Sequence, residues 1–494
     1  MKKVIIIGGG IAGLTAGIYA AQCGFDTTIY EKHAIAGGNC TSWKRGSYLF
    51  EGGMHWLTGA SEKEPSYKVW RNIGALDKDT KIIREKTFVV YDHEGTDIIL
   101  HCDADRLEAH LLSLSPQDKK PIKRLCKDMR ILGKMSMPVT DIKGLKSTRK
   151  NNMPLSMLFS MIPALIRMSA LNKLSCSDYI GQFAHPGIQN TLRLAMTEED
   201  YFAIALVSTL ADKAANSSGF PEGGSLPFIR RIVNRYEALG GRIEYKSPVE
   251  RVIVKNGRAV GVAAKGQHID ADAIIVTLDT MTADRLFDNP LKAKWLDTMR
   301  QNVRPVACCF VCIGVDADLS DFPYSYGFRL DTPLQFAETR HDILGMYNYA
   351  NVPGYSPKGK TALTVLLAGD TYDYWKKIME QGCYAAEKKK LADMVSAAIV
   401  KKIPRIEGKI EVLDVATPLT YERYCGTWKG SWMTMIPKNS KMEAYPCKVD
   451  HIENCYFAGQ RMYSVGGLPV AALTGRTAVQ HLCRDTEAIF QEQE

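Results

Sequence analysis

The first thirty residues alternate between short apolar runs and a glycine-rich stretch, a pattern that predicts a strand, a helix and a second strand. The apolar run Val4–Ile7 leads into glycines within positions 8–13, an apolar helical stretch follows, and the run Asp26–Tyr30 ends at Glu31. Short apolar runs bounded by glycine are typical of buried parallel strands, which a crossover helix connects. The pattern therefore predicts a βαβ unit at the start of the chain.

Two later stretches have the same apolar pattern interrupted by glycines. One passes from a helix that starts after Gly223-Gly224 into alternating strands up to Val276, and the other runs from a strand at Cys455–Ala458 into an apolar helix that ends near Cys483. The stretches between them carry aromatic residues, methionines and amphipathic surface helices such as Tyr384–Lys402. The three glycine-rich stretches are therefore interpreted as parts of one nucleotide-binding domain.

This organisation predicts an α/β protein with two domains. A Rossmann-type domain is assembled from three segments of the chain, and an α+β substrate domain is inserted between them. The predicted boundaries give the Rossmann-type domain residues 1–75, 222–285 and 436–494, and the substrate domain residues 76–221 and 286–435.

The spacing of the first glycines points to a dinucleotide. Gly8 allows the tight turn out of the first strand, Gly10 lets the backbone approach a pyrophosphate, and Gly13 lets the helix pack on the strand. The first amides of the helix, at Ile11-Ala12, are then aimed at the anion. Glu31, at the end of the second strand, is placed to accept hydrogen bonds from ribose hydroxyls. The sequence therefore predicts a nucleotide cofactor.

The same N-terminal stretch also resembles an export signal, because Met1-Lys2-Lys3 precedes an uncharged run that reaches Ala21. Glycines interrupt that run, it lacks the leucine density of a signal core, and Glu31 follows at the distance that a dinucleotide site requires. We expect no export signal and no transmembrane helix. The expected location is cytoplasmic, with a peripheral position at the inner face of the membrane as a variant of it.

Composition narrows the function classes. The chain has 494 residues, a net charge of +9 and no long block of Lys and Arg with interleaved aromatics, so nucleic-acid binding is not favoured. The thirteen cysteines are scattered through apolar segments, which fits reduced thiols better than a disulfide framework. The single CxxC, Cys309 to Cys312, lies inside the run Val306–Val315 and favours a buried strand over a redox or metal site. No metal site is predicted.

Further motifs carry a resemblance to a known family. They are Ala36–Ser42, Tyr48–Trp56, Gly223-Gly224, Phe457–Gly459 and Gly466–Pro469 with Gly475. In this order they resemble the phytoene desaturase, carotenoid isomerase and retinol saturase family of FAD-dependent oxidoreductases. The resemblance covers the three nucleotide-domain segments well and the two inserted segments poorly.

The resemblance implies how FAD is bound. Gly37 and Gly38 lie near the pyrophosphate, Val249 contacts the adenine through its main chain, and Gly467 and Leu468 donate to the N1/O2 edge of the flavin, where a helix N-terminus stabilises negative charge. The full set of expected cofactor residues is Gly8, Gly10, Ile11, Ala12, Gly13, Glu31, Lys32, Gly37, Gly38, Asn39, Gly53, Met54, His55, Val249, Gly459, Gln460, Gly467 and Leu468.

Two positions depart from the family pattern. Asn39 stands where related flavoproteins often have an Arg that pairs with the pyrophosphate, and Gln460 stands where many have an acid. Both replacements keep hydrogen-bonding capacity and lose charge. Arg45, Lys44 or Arg461 is a candidate to compensate, and the alternative for each is a solvated surface cation.

The resemblance implies an enzyme that desaturates, saturates or isomerises C–C or C=C bonds of an apolar isoprenoid, polyene or related lipid. No second GxGxxG unit is present, so electrons come from or go to an external donor or acceptor. One alternative is a flavin amine oxidase, against which Gly467-Leu468 argues because that class has Gly-Tyr there. Another alternative is a non-catalytic flavin-binding partner protein.

His55 and Glu51 are the titratable side chains that the resemblance places nearest the flavin, and they are the candidate catalytic residues. Their alternatives are a packed aromatic ring for His55 and a turn cap for Glu51. The aromatic residues Tyr324, Tyr326, Phe328, Tyr347 and Tyr349 either line a tunnel for an apolar chain or belong to the core.

The segment Met153–Leu171 is apolar on every side apart from Arg167 and a few serines, and Lys143, Lys146, Arg149 and Lys150 precede it. An apolar helix next to basic residues is typical of interfacial membrane binding, while an all-round apolar helix also suits a large core. The sequence leaves peripheral membrane contact and burial open.

Overall fold

The computed structural model describes residues 1–149, 155–464 and 466–493, without the side chains of residues 155–160. Within them the α-helices are α1 (Ile11–Gln22), α2 (Pro65–Asn72), α3 (Ala104–Leu114), α4 (Lys119–Leu132), α5 (Leu155–Leu171), α6 (Cys176–Ile180), α7 (Pro186–Ala195), α8 (Ala203–Ala214), α9 (Ser225–Ala238), α10 (Lys294–Asn302), α11 (Tyr372–Glu380), α12 (Tyr384–Lys402), α13 (Pro418–Cys425) and α14 (Gly467–Asp485).

The strands of the same residues are β1 (Lys3–Ile7), β2 (Asp26–Tyr30), β3 (Ser42–Arg45), β4 (Tyr48–Glu51), β5 (Leu57–Thr58), β6 (Ile82–Ile83), β7 (Thr87–His93), β8 (Thr96–His101), β9 (Ser218–Pro221), β10 (Arg242–Glu244), β11 (Val249–Lys255), β12 (Arg258–Ala264), β13 (Gln267–Asp270), β14 (Ala273–Val276), β15 (Arg304–Val306), β16 (Cys308–Val315), β17 (Ser325–Phe336), β18 (Thr339–Asn348), β19 (Thr361–Ala368), β20 (Ile410–Ala416), β21 (Met433–Met435) and β22 (Cys455–Phe457).

A parallel sheet in the order β10-β2-β1-β14-β22 draws its strands from all three predicted nucleotide-domain segments. Helix α1 connects β1 to β2 and packs against the turn after β1 and against α14, and glycines make both contacts close. A Cβ on Gly13 would lie 1.9 Å from the Gly8 carbonyl oxygen, and one on Gly475 would lie 2.5 Å from the Ala12 carbonyl oxygen. The predicted α/β fold with a Rossmann-type domain from three segments is confirmed, and the domain boundaries stay a prediction.

The second large sheet lies in the inserted segments and has the order β20-β16-β19-β18-β17-β7-β8. Its strands pair antiparallel except β17 with β7. Every residue of β16 is buried, including Cys309 and Cys312, which confirms the buried-strand interpretation of the CxxC. Helix α12 has the predicted bounds and buries Leu391, Val395 and Ile399, while its lysines are exposed or partly exposed.

Helices α3 to α8 lie beside this sheet. Helix α5 includes most of Met153–Leu171, the segment for which the sequence left membrane contact and burial open. Helix α5 begins at Leu155, so Lys150 and Met153 lie outside the described residues. Arg167 does not face away from the protein, because its guanidinium donates to both oxygens of the buried Asp128 on α4 at 2.7 and 2.8 Å. None of the described helices combines the length and the hydropathy needed to cross a bilayer.

Candidate cofactor cleft and substrate cavity

Two cavities meet at the N-terminus of α14. A cleft of about 780 Å³ runs along the carboxyl end of the parallel sheet, and a second cavity of about 970 Å³ lies between the Rossmann-type domain and the inserted segments. Asn39, Gln460, Gly467 and Leu468 line both. All four were predicted to contact the cofactor. A molecule that fills the cleft therefore presents one end to the larger cavity.

The cleft contains most of the predicted cofactor residues. Besides the four shared residues it is lined by Gly8, Gly10, Ile11, Ala12, Glu31, Lys32, Gly37, Gly38, Val249 and Gly459. Gly10 opens onto the cleft, since a Cβ there would meet its nearest atoms only at 3.9 Å. Gly13 lies behind the cleft and serves the helix packing described above.

Glu31 is fixed at the far end of the cleft. It is 7% exposed, and its two oxygens accept backbone hydrogen bonds from Gly9 and His33, both at 2.7 Å. Each carboxylate oxygen has a second lone pair, so Glu31 can still accept from a ribose. The neighbouring Lys32 is exposed and donates through Nζ to the Arg423 carbonyl oxygen at 2.8 Å, which holds the α13 end against the cleft.

The cleft fits a dinucleotide that carries negative charge at two places. Helix α1 begins after Gly10 and α14 begins after Gly466, so two helix N-termini point into it. The Asn39 Oδ1 atom is buried and has no hydrogen-bond partner among the described residues. An unpartnered buried acceptor at the junction of two cavities is what a bound ligand would satisfy. These residues fit FAD.

Arg461 does not compensate for the missing arginine at position 39. Its guanidinium is 2% exposed and bonds both oxygens of Asp279 at 2.8 and 2.9 Å, Ser431 Oγ at 2.6 Å and Thr434 Oγ1 at 2.7 Å. The side chain thus holds the loop before β21 to the Rossmann-type domain. Arg45 lines the cleft but pairs with Asp414 at 2.9 Å.

His55 and Gly53 line the larger cavity, whereas Met54 lines neither cavity and is 1% exposed. The imidazole of His55 stacks on Tyr347 with centroids 4.4 Å apart and rings within 10°. Burial, together with the nearby Lys213 charge, lowers the pKa of His55 to about 4. At physiological pH the ring therefore holds no proton to donate as an acid and is a weak base, which favours stacking over proton transfer, and its catalytic role stays a prediction.

Glu51 is fully buried and lines neither cavity. Its carboxylate accepts hydrogen bonds from Ser225 Oγ, from the Ser225 amide at 3.1 Å and from the Tyr355 hydroxyl at 2.8 Å. The amide of Met54 donates to it at 3.3 Å. Burial raises the pKa of Glu51, and these donors oppose that rise. The contacts favour a positioning role, in which Glu51 ties the loop that carries His55 to the start of α9.

Sequence reasoning missed several residues of the larger cavity. Trp432, Met433 and Glu198 line it without belonging to any motif. Tyr326 and Tyr347 also line it, and the aromatic alternation had singled them out, whereas Tyr349 stacks on Tyr355 at 4.4 Å inside the core. Only the fold of the inserted segments brings these residues together in one cavity.

The profile of the family described as flavin containing amine oxidoreductases matches residues 11–483 of this chain. The chain belongs to that family. It is an oxidoreductase whose cofactor is FAD, as the glycine motifs and the cleft indicated. The family includes several reactions, so the match by itself does not choose the bond that is oxidised.

Individual relatives agree with the resemblance seen in the motifs. The chain is 22% identical to the chloroplastic prolycopene isomerase of Daucus carota, over 97% of this chain and 80% of that protein. It is also 22% identical to the 1-hydroxycarotenoid 3,4-desaturase of Flavobacterium sp. (strain P99-3), over 96% and 98%, and to the all-trans-retinol 13,14-reductase of Danio rerio, over 95% and 84%. The predicted family resemblance is confirmed.

Solved structures show the same fold at low identity. An oxidoreductase from Methanosarcina mazei superimposes with a TM-score of 0.60 at 15% identity, covering 97% of this chain and all of that one. A putrescine oxidase bound to putrescine gives 0.63 at 16% identity, covering 98% and 99%. These likenesses establish the Rossmann-type flavoprotein fold with an inserted domain.

Proposed function

We propose that this enzyme transfers hydrogen at C–C or C=C bonds of an apolar polyene or isoprenoid, in the direction of desaturation, saturation or flavin-dependent isomerisation. The observation that carries the proposal is the wall of the larger cavity where it meets the cofactor cleft. The apolar lining of this cavity includes Leu194, Tyr347, Trp432, Met433 and Leu468, of which Leu468 also lines the cleft. Apolar side chains hold a hydrocarbon chain through dispersion and burial, and most of the charged side chains of the cavity are engaged with protein partners.

The length of the cavity supports an extended substrate. Its lining also includes Leu132, Met135, Met137 and Met168, which belong to α4, the following loop and α5. Flexible methionine side chains adapt to an irregular apolar ligand. A volume of about 970 Å³ is at the upper end of the range for small-molecule sites, which suits a long chain better than a small amine.

The amine oxidase alternative is supported by the family description and is weakened by this wall. Amine oxidation needs aromatic side chains on both sides of the nitrogen in front of the flavin. Leu468, which lines both cavities, stands where the sequence of that class has one of these rings. The remaining alternative, a flavin-binding partner without catalysis, predicts that no substrate changes the redox state of the flavin.

Anaerobic spectroscopy of the purified holoprotein separates these functions. Prolycopene, a 1-hydroxycarotenoid and all-trans-retinol in detergent micelles form one panel, and putrescine and cyclohexylamine form the other. We expect at least one polyene to change the flavin spectrum or to be isomerised by the dithionite-reduced protein, and the amines to do neither. Reduction by an amine alone would establish the alternative, and a reaction with none of them would favour the non-catalytic partner.

The cofactor itself is tested by acid precipitation. No Cys or His lies at a position that the resemblance marks for a covalent flavin link, so the flavin should enter the yellow supernatant as FAD. Flavin that stays in the pellet, or FMN in the supernatant, would contradict the assignment.

We also propose that the protein is cytoplasmic and docks on the inner face of a membrane through α5, from which the apolar substrate enters. Ile162, Leu165 and Ile166 are 45%, 45% and 63% exposed and lie three and four residues apart, on one face of the helix. On the other side, Ala164 is buried and Met168 lines the cavity. An apolar outer face whose inner face borders the substrate cavity supports a short entry path from lipid.

Liposome flotation tests this docking. The wild-type protein should float with vesicles of phosphatidylcholine and phosphatidylglycerol, and less at high salt, since Lys143 and Lys146 precede α5. Serine at positions 162, 165 and 166 should abolish flotation without lowering the melting temperature. The matched control is Leu413→Ser, which removes a 40% exposed leucine from β20. Flotation of the triple variant, or none of the wild type, would contradict the proposal.

The electron donor or acceptor is external to the chain in this proposal. The candidates are a quinone, oxygen, a carrier protein and NAD(P)H. The rates at which each one reduces or reoxidises the flavin of the holoprotein identify the one that is used.

A further inference from the structure

Glu198 differs from the other acids of the larger cavity. It lies in the turn between α7 and α8 and lines the cavity, and among the described residues no hydrogen bond or ion pair engages its carboxylate. The other cavity acids are engaged: Glu64 by Ser217 Oγ at 2.7 Å, Asp212 by Thr58 Oγ1 at 3.2 Å, Glu199 by Arg193 at 3.1 Å and Asp342 by Arg340 at 2.7 Å. A partly buried carboxylate without a partner is costly unless the site uses it.

The position of Glu198 relates it to the flavin end of the cavity. The Tyr201 amide donates to the Glu198 carbonyl oxygen at 3.1 Å, and Tyr201 forms a β-bridge with Pro437, two residues after β21. Strand β21 accepts hydrogen bonds from Arg461, which follows Gln460 at the junction of the two cavities. The turn that carries Glu198 is thus connected through β21 to this junction.

We propose that Glu198 is the catalytic acid and base that exchanges a proton with the substrate. This inference rests on the proposed function. In desaturation a hydrogen leaves one carbon as hydride to oxidised FAD, the proton of the adjacent carbon goes to the Glu198 carboxylate, and the electron pair of that C–H bond becomes the second bond of the alkene. In saturation the same groups act in reverse, with protonated Glu198 donating to carbon.

The surroundings of Glu198 suit proton transfer in both desaturation and saturation. Burial, with the negative charges of Asp200 and Asp370, raises its pKa to about 7. The other titratable groups that sense its charge are uncharged ones, the phenol of Tyr201 and the thiols of Cys176 and Cys308. The cations that line the same cavity, Arg193 and Arg340, are paired with Glu199 and Asp342. A group that titrates near the working pH is the most effective general acid or base.

Single-turnover kinetics with the polyene that reduces the wild-type flavin test the proposal. Glu198→Gln should leave the FAD content unchanged and slow anaerobic flavin reduction by roughly 100-fold or more. The wild-type rate should rise with pH to a plateau with a midpoint near 7, because the carboxylate is the base, while the variant rate should not vary with pH. Glu198→Asp should restore part of the rate and the pH dependence. An unchanged rate and profile in Glu198→Gln would overturn the role.

Asp200→Asn provides the matched control, because it removes an exposed like charge beside Glu198 without touching the cavity. It should move the midpoint of the pH profile to lower pH and leave the plateau rate unchanged. An unshifted midpoint, or a lowered plateau, would show that Glu198 is not the titrating group.

Infrared titration of the holoprotein separates this inference from the proposed function. The component of the carboxyl carbonyl band that disappears as the pH rises through about 7 should be absent in Glu198→Gln, while the component of Asp212, whose pKa burial raises to about 6, should remain. If the band titrates but no polyene reacts, the proposed function falls and the catalytic role falls with it. If a polyene reacts equally well with wild type and Glu198→Gln, only the role of Glu198 falls.

Discussion

The cofactor cleft and the substrate cavity are built in different ways, although they share Asn39, Gln460, Gly467 and Leu468. Glycine backbone, helix N-termini and the fixed carboxylate of Glu31 make up the motif part of the cleft. Side chains from distant strands, helices and loops form the cavity. Backbone geometry is set by short motifs, whereas a wall of side chains is set by how whole segments pack. Substitution of a single glycine should therefore abolish cofactor binding in the cleft. Single substitutions in the cavity should change substrate binding and turnover more gradually.

The largest effect is expected at Gly10. Gly10→Leu should remove more than nine-tenths of the bound FAD, because side-chain atoms would occupy the space into which the residue opens. Gly13→Ala is the comparison: its Cβ would lie 1.9 Å from the Gly8 carbonyl oxygen, so it should lower the melting temperature of the protein itself. Absorbance of the purified protein and thermal melts measure both. Full FAD content in Gly10→Leu would contradict the assignment of Gly10 to the cofactor cleft.

At His55 the two candidate roles give different outcomes. A histidine that transfers protons predicts that His55→Ala and His55→Phe both lose about 100-fold in turnover at unchanged FAD content. A stacking histidine predicts that His55→Phe stays within severalfold of wild type. We expect the second result, because the imidazole is neutral and lies against Tyr347. An equal, large loss of turnover in both variants would show that His55 is a catalytic residue.

A smaller effect should appear in the pH dependence of stability. The pKa of His55 is about 4 in the folded protein and about 6.5 unfolded, so its contribution to stability is complete above pH 6.5 and is lost as the pH falls towards 4. Between pH 7 and pH 5 the loss should be about 2 kcal/mol. Urea unfolding at both pH values measures it, and His55→Phe should lose correspondingly less. Equal losses in the two proteins would contradict the buried neutral imidazole.

The sequence was sufficient for the cleft because its determinants are local. Gly8, Gly10, Gly13 and Glu31 act within one βαβ unit, where spacing along the chain fixes spacing in the fold. The same local logic correctly assigned Cys309 to a buried strand, because an apolar run on both sides leaves a thiol no exposed face.

The cavity could not be predicted in this way. Glu198 stands in the stretch Thr-Glu-Glu-Asp, which by itself indicates a solvated acidic turn. Trp432 follows no motif and reaches the cavity because Arg461 and Asp279 hold the preceding loop in place. Glu51 was placed near the flavin, but its engagement by Ser225 depends on a contact 174 residues away in the chain. Long-range packing decided each case.

The central parallel sheet also has a consequence for synthesis on the ribosome. Strand β1 pairs with β14, which is made more than 250 residues later, and β14 in turn pairs with β22, which is made more than 170 residues after it. Until then the apolar residues Val4–Ile7 have only β2 beside them, and such edges aggregate readily. A nascent chain of this length should therefore depend on chaperones until α14 has emerged, and it cannot retain its cofactor before that point.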